Sequence, residues 1–266
     1  MRDVATDEGS RLHVERSGTG DRLLYCNGSG STLATARPIL EQLRASFDVA
    51  AFDYRGMGDS PPVDGAYSMA DLAEDVEQVL DDLGWDDCLL VGLSFGGMVA
   101  QEFAVTRPER VRRLGLLATS PGGDFSSYPL EELAELSPGV RATRSLLLAD
   151  RRWTSEWLGE HPDELQIVLT LAEGQSTEES NVQRAGRLAQ LAARQGHDVT
   201  GRLGRITAPT FIGCGTFDDI APVRNAERMA EGISQAELHV YDGGHLFLFQ
   251  DARAWPDLMA FLDGGD

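Results

Sequence analysis

The alternation of short apolar runs with amphipathic helical patterns most constrains the fold of this 266-residue chain. Residues 11–17 alternate polar and apolar side chains, which predicts an antiparallel edge strand. Six further runs are predicted as strands: 22–27, 47–53, 88–94, 111–119, 208–215 and 236–242. Most of them are almost continuously apolar, as is typical of parallel strands buried on both faces of a sheet. Helical patterns separate these runs, so the sequence predicts an α/β fold with a doubly wound, mostly parallel sheet.

The clearest helical pattern covers residues 68–84. Its apolar side chains recur at i, i+3 and i+4 spacing: Met69, Leu72, Val76, Val79, Leu80 and Leu83. Ser68 with Asp71 is a capping-box signature, and Gly84 is typical of the residue that ends a helix. Three more helices are predicted over residues 95–109, 222–233 and 251–262.

A long segment without a strand pattern interrupts this alternation. From about Gly122 to Leu203 the chain shows helical patterns only, which is too long for a connector in a compact domain. We therefore predict a helical cap inserted between two strands of the sheet. The predicted domains are a first part of the core at 1–121, the cap at 122–203 and a second part of the core at 204–266.

Charge and hydropathy exclude several classes of partner. All 23 basic residues are arginine, and the net charge of −20 disfavours binding to nucleic acid or to an anionic membrane. The chain has no run of 18 or more apolar residues, so no transmembrane helix is expected. The charged N-terminus lacks the apolar stretch of a secretory signal. We expect a cytoplasmic monomer or homodimer that acts on a small molecule.

Cysteine and glycine patterns indicate neither a metal nor a cofactor. Cys26, Cys88 and Cys214 lie far apart in apolar runs, which predicts reduced thiols in the core. Neither "CNGSGST" (26–32) nor "GMGDSP" (56–61) completes a dinucleotide-binding G-x-G-x-x-G motif. A Walker loop and an H-E-x-x-H motif are also absent from the sequence. We therefore expect no cofactor and no metal.

The segment Gly92-Leu93-Ser94-Phe95-Gly96 places a serine between a predicted strand and a predicted helix. A G-x-S-x-G motif in this context is typical of a nucleophilic serine. Glycine at positions 92 and 96 removes two Cβ atoms that would clash in so sharp a turn. The N-terminus of the following helix favours negative charge that develops near Ser94. The alternative interpretation is a tight turn with an incidental serine.

A serine nucleophile needs a base and an acidic group that orients the base. Of the five histidines, His245 follows the last strand on a glycine-rich loop, where parallel sheets place their chemistry. Asp218 and Asp219 both follow the preceding strand and are both candidates for the acid. The chain order Ser, Asp, His is the order of the α/β-hydrolase arrangement.

The small residues of "CNGSGST" suit a loop that binds an oxyanion. Backbone N–H groups must approach a substrate oxygen closely, and bulky side chains would prevent this. We predict that the N–H groups of Ser29 and Phe95 are the two donors. A flexible turn is the alternative for this stretch taken alone.

Taken together, these segments resemble the α/β-hydrolase superfamily over nearly the whole chain. "DYRGMGDS" (53–60) is similar to the family signature D-x-R-G-x-G-x-S. "GTFDDIAP" resembles the acid loop G-x-x-D-x-x-x-P, which implies that Asp218 rather than Asp219 is the acid. "GGHLFLF" resembles the family's G-H loop, which implies His245 as the base. The chain departs from the family at Asn27-Gly28, where His-Gly is usual.

Motifs of particular subgroups leave the substrate open. "GLSFGGMVAQ" resembles the 3-oxoadipate enol-lactonase-like and carboxylesterase group, which implies an ester or a lactone as substrate. "NGSG" resembles the loop of meta-cleavage carbon–carbon hydrolases, but those usually have Asn where this chain has Leu93. "DGGHLFL" resembles intracellular polyhydroxyalkanoate depolymerases. A thioesterase on the same triad and a catalytically silent ligand-binding homologue are further alternatives.

Apolar and aromatic side chains are candidates for the wall of a substrate pocket. The candidates are Phe125, Tyr128, Trp153, Trp157 and Leu169 from the predicted cap, with Met57 and Phe95 from the core. At helical spacing such side chains are also typical of a cap's own core.

Overall fold

The computed structural model describes residues 2–5, 11–63, 65–174 and 180–264. Its strands form one sheet in the order β1-β2-β4-β3-β5-β6-β7-β8. The strands are β1 (Arg2–Ala5), β2 (Arg11–Ser17), β3 (Arg22–Cys26), β4 (Asp48–Phe52), β5 (Cys88–Leu93), β6 (Val111–Leu117), β7 (Thr210–Gly215) and β8 (Ala236–Tyr241). The predicted doubly wound sheet is confirmed, because β3 to β8 are parallel to one another.

The position of residues 11–17 in the sheet differs from the prediction. This strand, β2, is antiparallel to β4 as expected, but it does not lie at the edge. The four-residue strand β1 pairs with its other side, with Arg2 opposite Val14. A strand of this length has too few residues to show a periodic pattern, so the sequence analysis missed it.

The helices connect the strands and cover both faces of the sheet. They are α1 (Arg37–Arg44), α2 (Met69–Leu83), α3 (Phe95–Thr106), α4 (Pro138–Ala149), α5 (Ser155–Glu160), α6 (Pro162–Gly174), α7 (Asn181–Gln195), α8 (Val223–Gly232), α9 (Phe247–Gln250) and α10 (Ala254–Asp263). The predicted capping box is present at α2, where Asp71 N donates to Ser68 Oγ and Ser68 N donates to the Asp71 carboxylate. Gly84 ends α2 at φ +68°.

Two apolar clusters lie on opposite faces of the sheet. Successive side chains of a strand point to opposite faces, so Leu23 belongs to one cluster and Leu24 to the other. The cluster that contains Leu24 includes α2, α3 and α8, and the other cluster includes α1 and α10. The three cysteines are free and buried, as predicted. In the described parts of the chain, no helix is long and apolar enough to cross a membrane.

Helices α4 to α7 are inserted between β6 and β7. As predicted, the described part of this insertion contains no strand, and its extended pairing is limited to isolated bridges from Gly122 to Phe125 and to Asp198. The Gly122–Asp198 bridge joins the start of the insertion to its end. The division of the chain into a separate cap domain at residues 122 and 203 stays a prediction.

His197 is buried at the base of this insertion, next to the Gly122–Asp198 bridge. The residue is only 3% exposed, and burial lowers the pKa of His197 to about 4. The charged groups that act on it are Glu102 of α3 and Asp198, which raise its pKa, and Arg202, which lowers it. His197 is therefore neutral in the folded protein at any pH above about 4.

We predict that His197 makes the protein sensitive to mild acid. The unfolded chain binds a proton at His197 near pH 6.5, and the folded chain does not bind it until about pH 4. The free energy of unfolding should therefore fall by about 3 kcal/mol between these values because of this residue. His197→Gln should remove that part of the pH dependence in urea denaturation, whereas His161→Gln, at an exposed histidine, should retain it. Equal pH dependence in the wild type and His197→Gln would contradict this assignment.

Candidate active site

Ser94 occupies a strained turn between β5 and α3. Its backbone has φ +54° and ψ −114°, which is unfavourable for a residue with a side chain. Such a conformation costs on the order of 1–3 kcal/mol and persists only where the surroundings enforce it. Ser94 N donates to Leu117 O at 2.8 Å, and Thr119 Oγ1 donates to Ser94 O at 2.7 Å. Leu117 and Thr119, at and just after the end of β6, therefore hold the peptide groups on both sides of Ser94.

Glycines at positions 92 and 96 allow this turn to pack tightly. A Cβ atom on Gly92 would overlap the carbonyl oxygen of Gly96, and a Cβ atom on Gly96 would overlap the carbonyl oxygen of Cys26. Both obstacles are backbone atoms, which cannot rotate away. The steric reason for glycine that was inferred from the motif is confirmed, and Gly96 also brings α3 against the end of β3.

Asp218 and His245 form a hydrogen-bonded pair at the carboxyl end of the sheet. Asp218 follows β7 and His245 follows β8, and His245 Nδ1 lies 2.7 Å from Asp218 Oδ2. The other carboxylate oxygen of Asp218 accepts hydrogen bonds from Ile220 N at 2.8 Å and Ala221 N at 2.9 Å. Asp218 is 1% exposed, so this carboxylate is held rigidly.

Asp219, the other candidate for the acid, points elsewhere. Its carboxylate is 3.2 Å from Arg151 Nη1, and its side chain is 45% exposed. Because Asp218 bonds to His245 Nδ1, the second ring nitrogen, Nε2, takes no part in this pair. In the described part of the chain, Ser94 Oγ has no hydrogen-bond partner within 3.5 Å, so serine and histidine are not hydrogen-bonded here. Such bonds often tighten only when substrate is bound.

A segment of the insertion lies between the loops that carry Asp218 and His245. Leu148 O accepts from Asp219 N at 3.0 Å, and Ala149 O accepts from His245 N at 2.6 Å. Arg151 N donates to Phe217 O at 3.1 Å. The end of α4 thus bonds to both loops. The sequence analysis missed this segment, because no local pattern marks a backbone contact between distant parts of a chain.

Buried polar side chains support the same region. Asp150, which is fully buried, accepts from Arg152 Nη2 at 2.6 Å and from Gln250 Nε2 at 2.8 Å. Gln250 Oε1 in turn accepts from Gly244 N at 2.8 Å. This chain of hydrogen bonds joins the insertion to the residue that precedes His245. His245 is therefore held in position through both its side chain and its backbone.

The loop predicted to bind an oxyanion lies against the nucleophile turn. A Cβ atom built on Gly28 would be 3.9 Å from Ser94 Cβ and 3.7 Å from Leu93 O. Within the residues described, the N–H groups of Ser29 and Phe95 have no hydrogen-bond acceptor. Asn27, which replaces the usual histidine, is 1% exposed, and its side chain forms no hydrogen bond with the described residues. Its carbonyl oxygen accepts from Tyr54 Oη at 3.2 Å.

The "DYRGMGDS" loop is fixed by its own polar side chains. Asp53 accepts from Leu33 N at 2.7 Å and from Asp59 N at 3.0 Å, and burial raises the pKa of its carboxyl. Arg55 forms a bidentate pair with buried Asp75, with both distances 2.8 Å. This explains why the signature contains charged residues: they hold the loop in shape.

One group of described residues has the composition of a metal site. Candidate ligand atoms of His13, Asp53 and Asp59 lie within 4.8 Å of one another. Both oxygens of Asp53 already accept backbone hydrogen bonds, and Asp59 is exposed. The expectation that the protein needs no metal stays a prediction.

The two tryptophans of the predicted pocket lie in an apolar cluster of the insertion. Trp153 is buried with Leu158 and Val168, and Trp157 packs beside them. Trp153 Nε1 donates to Glu164 at 3.0 Å, and the ring of Trp157 stacks on His161 with centroids 3.8 Å apart. These contacts favour the alternative in which the tryptophans form the insertion's own core. Their role in a pocket stays a prediction.

The other predicted pocket residues are spread over the molecule. Met57 is buried in the main core, whereas Leu169 is 48% exposed on α6. Phe125 lies beside Arg228, whose guanidinium carbon is 5.9 Å from the ring centroid. Tyr128 N donates to Ile220 O at 2.8 Å, which places its backbone next to the Asp218 loop. The structure thus brings Tyr128 near the candidate triad without assigning it a substrate contact.

Comparison with known protein families identifies the family of this chain. A family model described as the alpha/beta hydrolase fold matches residues 21–252. The chain belongs to the α/β-hydrolase family. The matched range includes the Ser94 turn, the Asp218 loop and the His245 loop.

Several relatives in this family are hydrolases. The chain is 33% identical to a Variovorax paradoxus protein named "Putative carbamate hydrolase RutD", over 94% of this chain and 96% of that protein. It is 31% identical to a poly(3-hydroxyalkanoate) depolymerase of Ectopseudomonas oleovorans, over 90% of this chain and 83% of the relative. The fold matches that of an enol-lactonase from Burkholderia xenovorans with a TM-score of 0.79 at 21% identity, covering 98% and 100% of the two chains. The two relatives above 30% identity support hydrolase activity for this member of the family, and the enol-lactonase structure supports the fold.

We predict that Gly96→Ala disrupts the nucleophile turn. The added methyl group overlaps the carbonyl oxygen of Cys26, so α3 must move away from β3. The free energy of unfolding should fall by about 1–3 kcal/mol in urea denaturation. Gly159→Ala on α5 is the matched control, because no atom lies within 4 Å of the place that its methyl group would occupy. A Gly96→Ala protein as stable as Gly159→Ala would contradict the packing described here.

Proposed function

We propose that the protein is a serine hydrolase that cleaves a carboxylic ester or lactone through an acyl-enzyme on Ser94. The observation that carries the proposal is the 2.7 Å hydrogen bond between His245 Nδ1 and buried Asp218, at the same edge of the sheet as the strained Ser94 turn. A base held by a buried carboxylate near a serine hydroxyl is the arrangement that activates a serine.

The proposed reaction has two steps. In the first, His245 Nε2 takes the proton of Ser94 Oγ as that oxygen bonds to the substrate carbonyl carbon, and the protonated imidazole then gives the proton to the departing alkoxide. Asp218 stabilises the imidazolium. In the second, His245 takes a proton from water, whose oxygen attacks the acyl carbon, and Ser94 regains its proton as the acid is released.

The oxyanion of each step would be stabilised by two backbone donors. The N–H groups of Ser29 and Phe95 fit this role, because neither has an acceptor among the described residues. Phe95 follows Ser94 directly, and Ser29 follows Gly28, which lies beside Ser94. Phe95 also begins α3, whose N-terminus favours negative charge. Preorganised donors of this kind are commonly worth about 10²–10³ in rate each.

The relatives guide the choice of bond. Poly(3-hydroxyalkanoate) is a polyester, so the 31% identical depolymerase supports ester cleavage. A carbamate is the second candidate, because the Variovorax relative is 33% identical and its name gives that substrate class. Both bonds are attacked at a carbonyl carbon, and the same three side chains would serve either.

We predict that Ser94→Ala abolishes hydrolysis while the fold is retained. The wild type should release p-nitrophenol from its butyrate ester faster than it hydrolyses a carbamate or a vinylogous diketone. Ser120→Ala is the matched control, since Ser120 is a buried serine in the segment that follows β6, the strand next to β5. Residual activity of Ser94→Ala equal to that of Ser120→Ala would contradict a nucleophilic role. Faster cleavage of the carbamate or diketone would replace the ester in the proposal.

We predict that Asp218→Asn and Asp219→Asn differ sharply in activity. The amide at position 218 would no longer hold the imidazolium, and the loss of kcat should be about 10³–10⁴-fold. Asp219 is exposed and pairs with Arg151, so its substitution should change kcat less than about threefold. Steady-state kinetics on the same ester checks both. Equal activity of the two variants would contradict the assignment of Asp218 as the acid.

A further inference from the structure

Helix α7 of the insertion packs directly on the core beside the candidate site. The backbones of Gly186 on α7 and Gly56 in the "DYRGMGDS" loop touch, and a Cβ atom on either glycine would overlap the other residue. Tyr67 Oη donates to Gly186 O at 3.4 Å. The register of α7 against the core is therefore fixed one turn before Gln190.

Gln190 reaches from α7 to the loop that contains the proposed oxyanion donor. Its Oε1 accepts from Gly30 N at 2.8 Å and lies 3.4 Å from the donor Ser29 Oγ. Gly30 has φ +72°, a conformation that suits glycine and leaves its N–H pointing at the helix. These two contacts join residues about 160 positions apart in the chain.

The burial of Gln190 indicates that its side chain is placed there to accept a hydrogen bond through Oε1. The residue is 0% exposed, and in the part of the chain that the structure describes its Nε2 has no hydrogen-bond partner. A buried donor without a partner is unfavourable, and an apolar side chain would fill the same space without that cost. The bond from Gly30 N is the compensating interaction.

We propose that Gln190 is a positioning residue for the oxyanion hole. Its Oε1 fixes the Ser29–Gly30 peptide on one side of Ser29, and the Ser31 N to Gly28 O bond of 3.2 Å closes the turn around it. The Ser29 N–H group, which belongs to the peptide between Gly28 and Ser29, is thereby held in a single direction, and Gly28 lies beside Ser94. This inference rests on the proposed function, because it assigns Ser29 N–H to the oxyanion. On this inference, the geometry of the proposed oxyanion hole depends on helix α7 of the insertion.

The test compares Gln190→Met with Gln195→Met. Methionine keeps the length of the side chain and removes the acceptor. Gln195 ends the same helix and donates to Glu131 at 2.7 Å on the surface, so it is the matched control. The probe is an alkyl fluorophosphonate: Ser94 Oγ bonds to phosphorus, the P–F bond breaks, fluoride leaves and the serine proton passes to His245. The phosphoryl oxygen then occupies the oxyanion hole.

The probe should label Ser94 of the Gln190→Met variant about 10–100 times more slowly than Ser94 of the wild type. It should label the Gln195→Met variant at the wild-type rate. For a reporter ester, the loss should fall on kcat and leave KM within about threefold, because the hole acts on the transition state. Labelling of Gln190→Met within twofold of the wild type would overturn the inference.

Amide exchange of Gly30, followed by NMR, separates this inference from the proposed function. The hydrogen bond to Gln190 protects the Gly30 N–H, so Gln190→Met should raise its exchange rate at least tenfold while α7 amides exchange as in Gln195→Met. Unchanged exchange at Gly30 would overturn the inference even if the esterase activity is confirmed. A wild type that is not labelled at Ser94 would overturn the proposed function.

Discussion

The backbone of Ser94, at φ +54° between β5 and α3, is unfavourable by itself, and the geometry of the candidate site depends on it. The surrounding packing is what maintains this backbone. Two hydrogen bonds from the end of β6 fix the peptide groups of Ser94, and the backbones of Gly96 and Cys26 meet without space for a methyl group. The same packing brings the Gly28 loop to the serine. The turn therefore positions both the proposed nucleophile and the proposed oxyanion donors.

The insertion between β6 and β7 contributes to the site as well as covering the sheet. Its α4 end bonds to the backbone of His245 and Asp219, and buried Asp150 continues this support through Gln250. Gln190 of α7, another helix of the insertion, accepts a hydrogen bond from Gly30 N. The His245 loop and the loop of the proposed oxyanion donors are thus both bonded to the insertion. Movement of the inserted helices would therefore alter the geometry of the proposed catalytic groups.

The sheet and the spacing of the site were predictable because both are encoded locally. Strands β3 to β7 are largely buried on both faces, and this leaves nearly continuous apolar runs in the sequence. Asp218, His245 and Ser94 follow such runs directly, so the order of strand ends brings them to one edge. Strand β1 escaped detection because only its pairing with β2 defines it.

The supporting contacts could not be predicted, since they depend on how distant segments pack. Gln190 and Gly30 are separated by 160 positions, and nothing in either local sequence indicates their contact. The same limit applies to Trp153: an aromatic residue on a cap helix shows the same pattern whether it faces a substrate or the cap's own core. The contacts of Trp153 with Leu158 and Val168 come from the fold alone.

The central claim is that catalysis passes through a covalent acyl group on Ser94. The most direct measurement is mass spectrometry of protein quenched in acid during turnover of p-nitrophenyl butyrate, followed by peptide mapping. The account predicts one butyryl group on the peptide that contains Ser94, at a level that rises within the first turnover and disappears once substrate is consumed. Steady turnover of the ester with no acyl group on that peptide, or with the group on another residue, would contradict it.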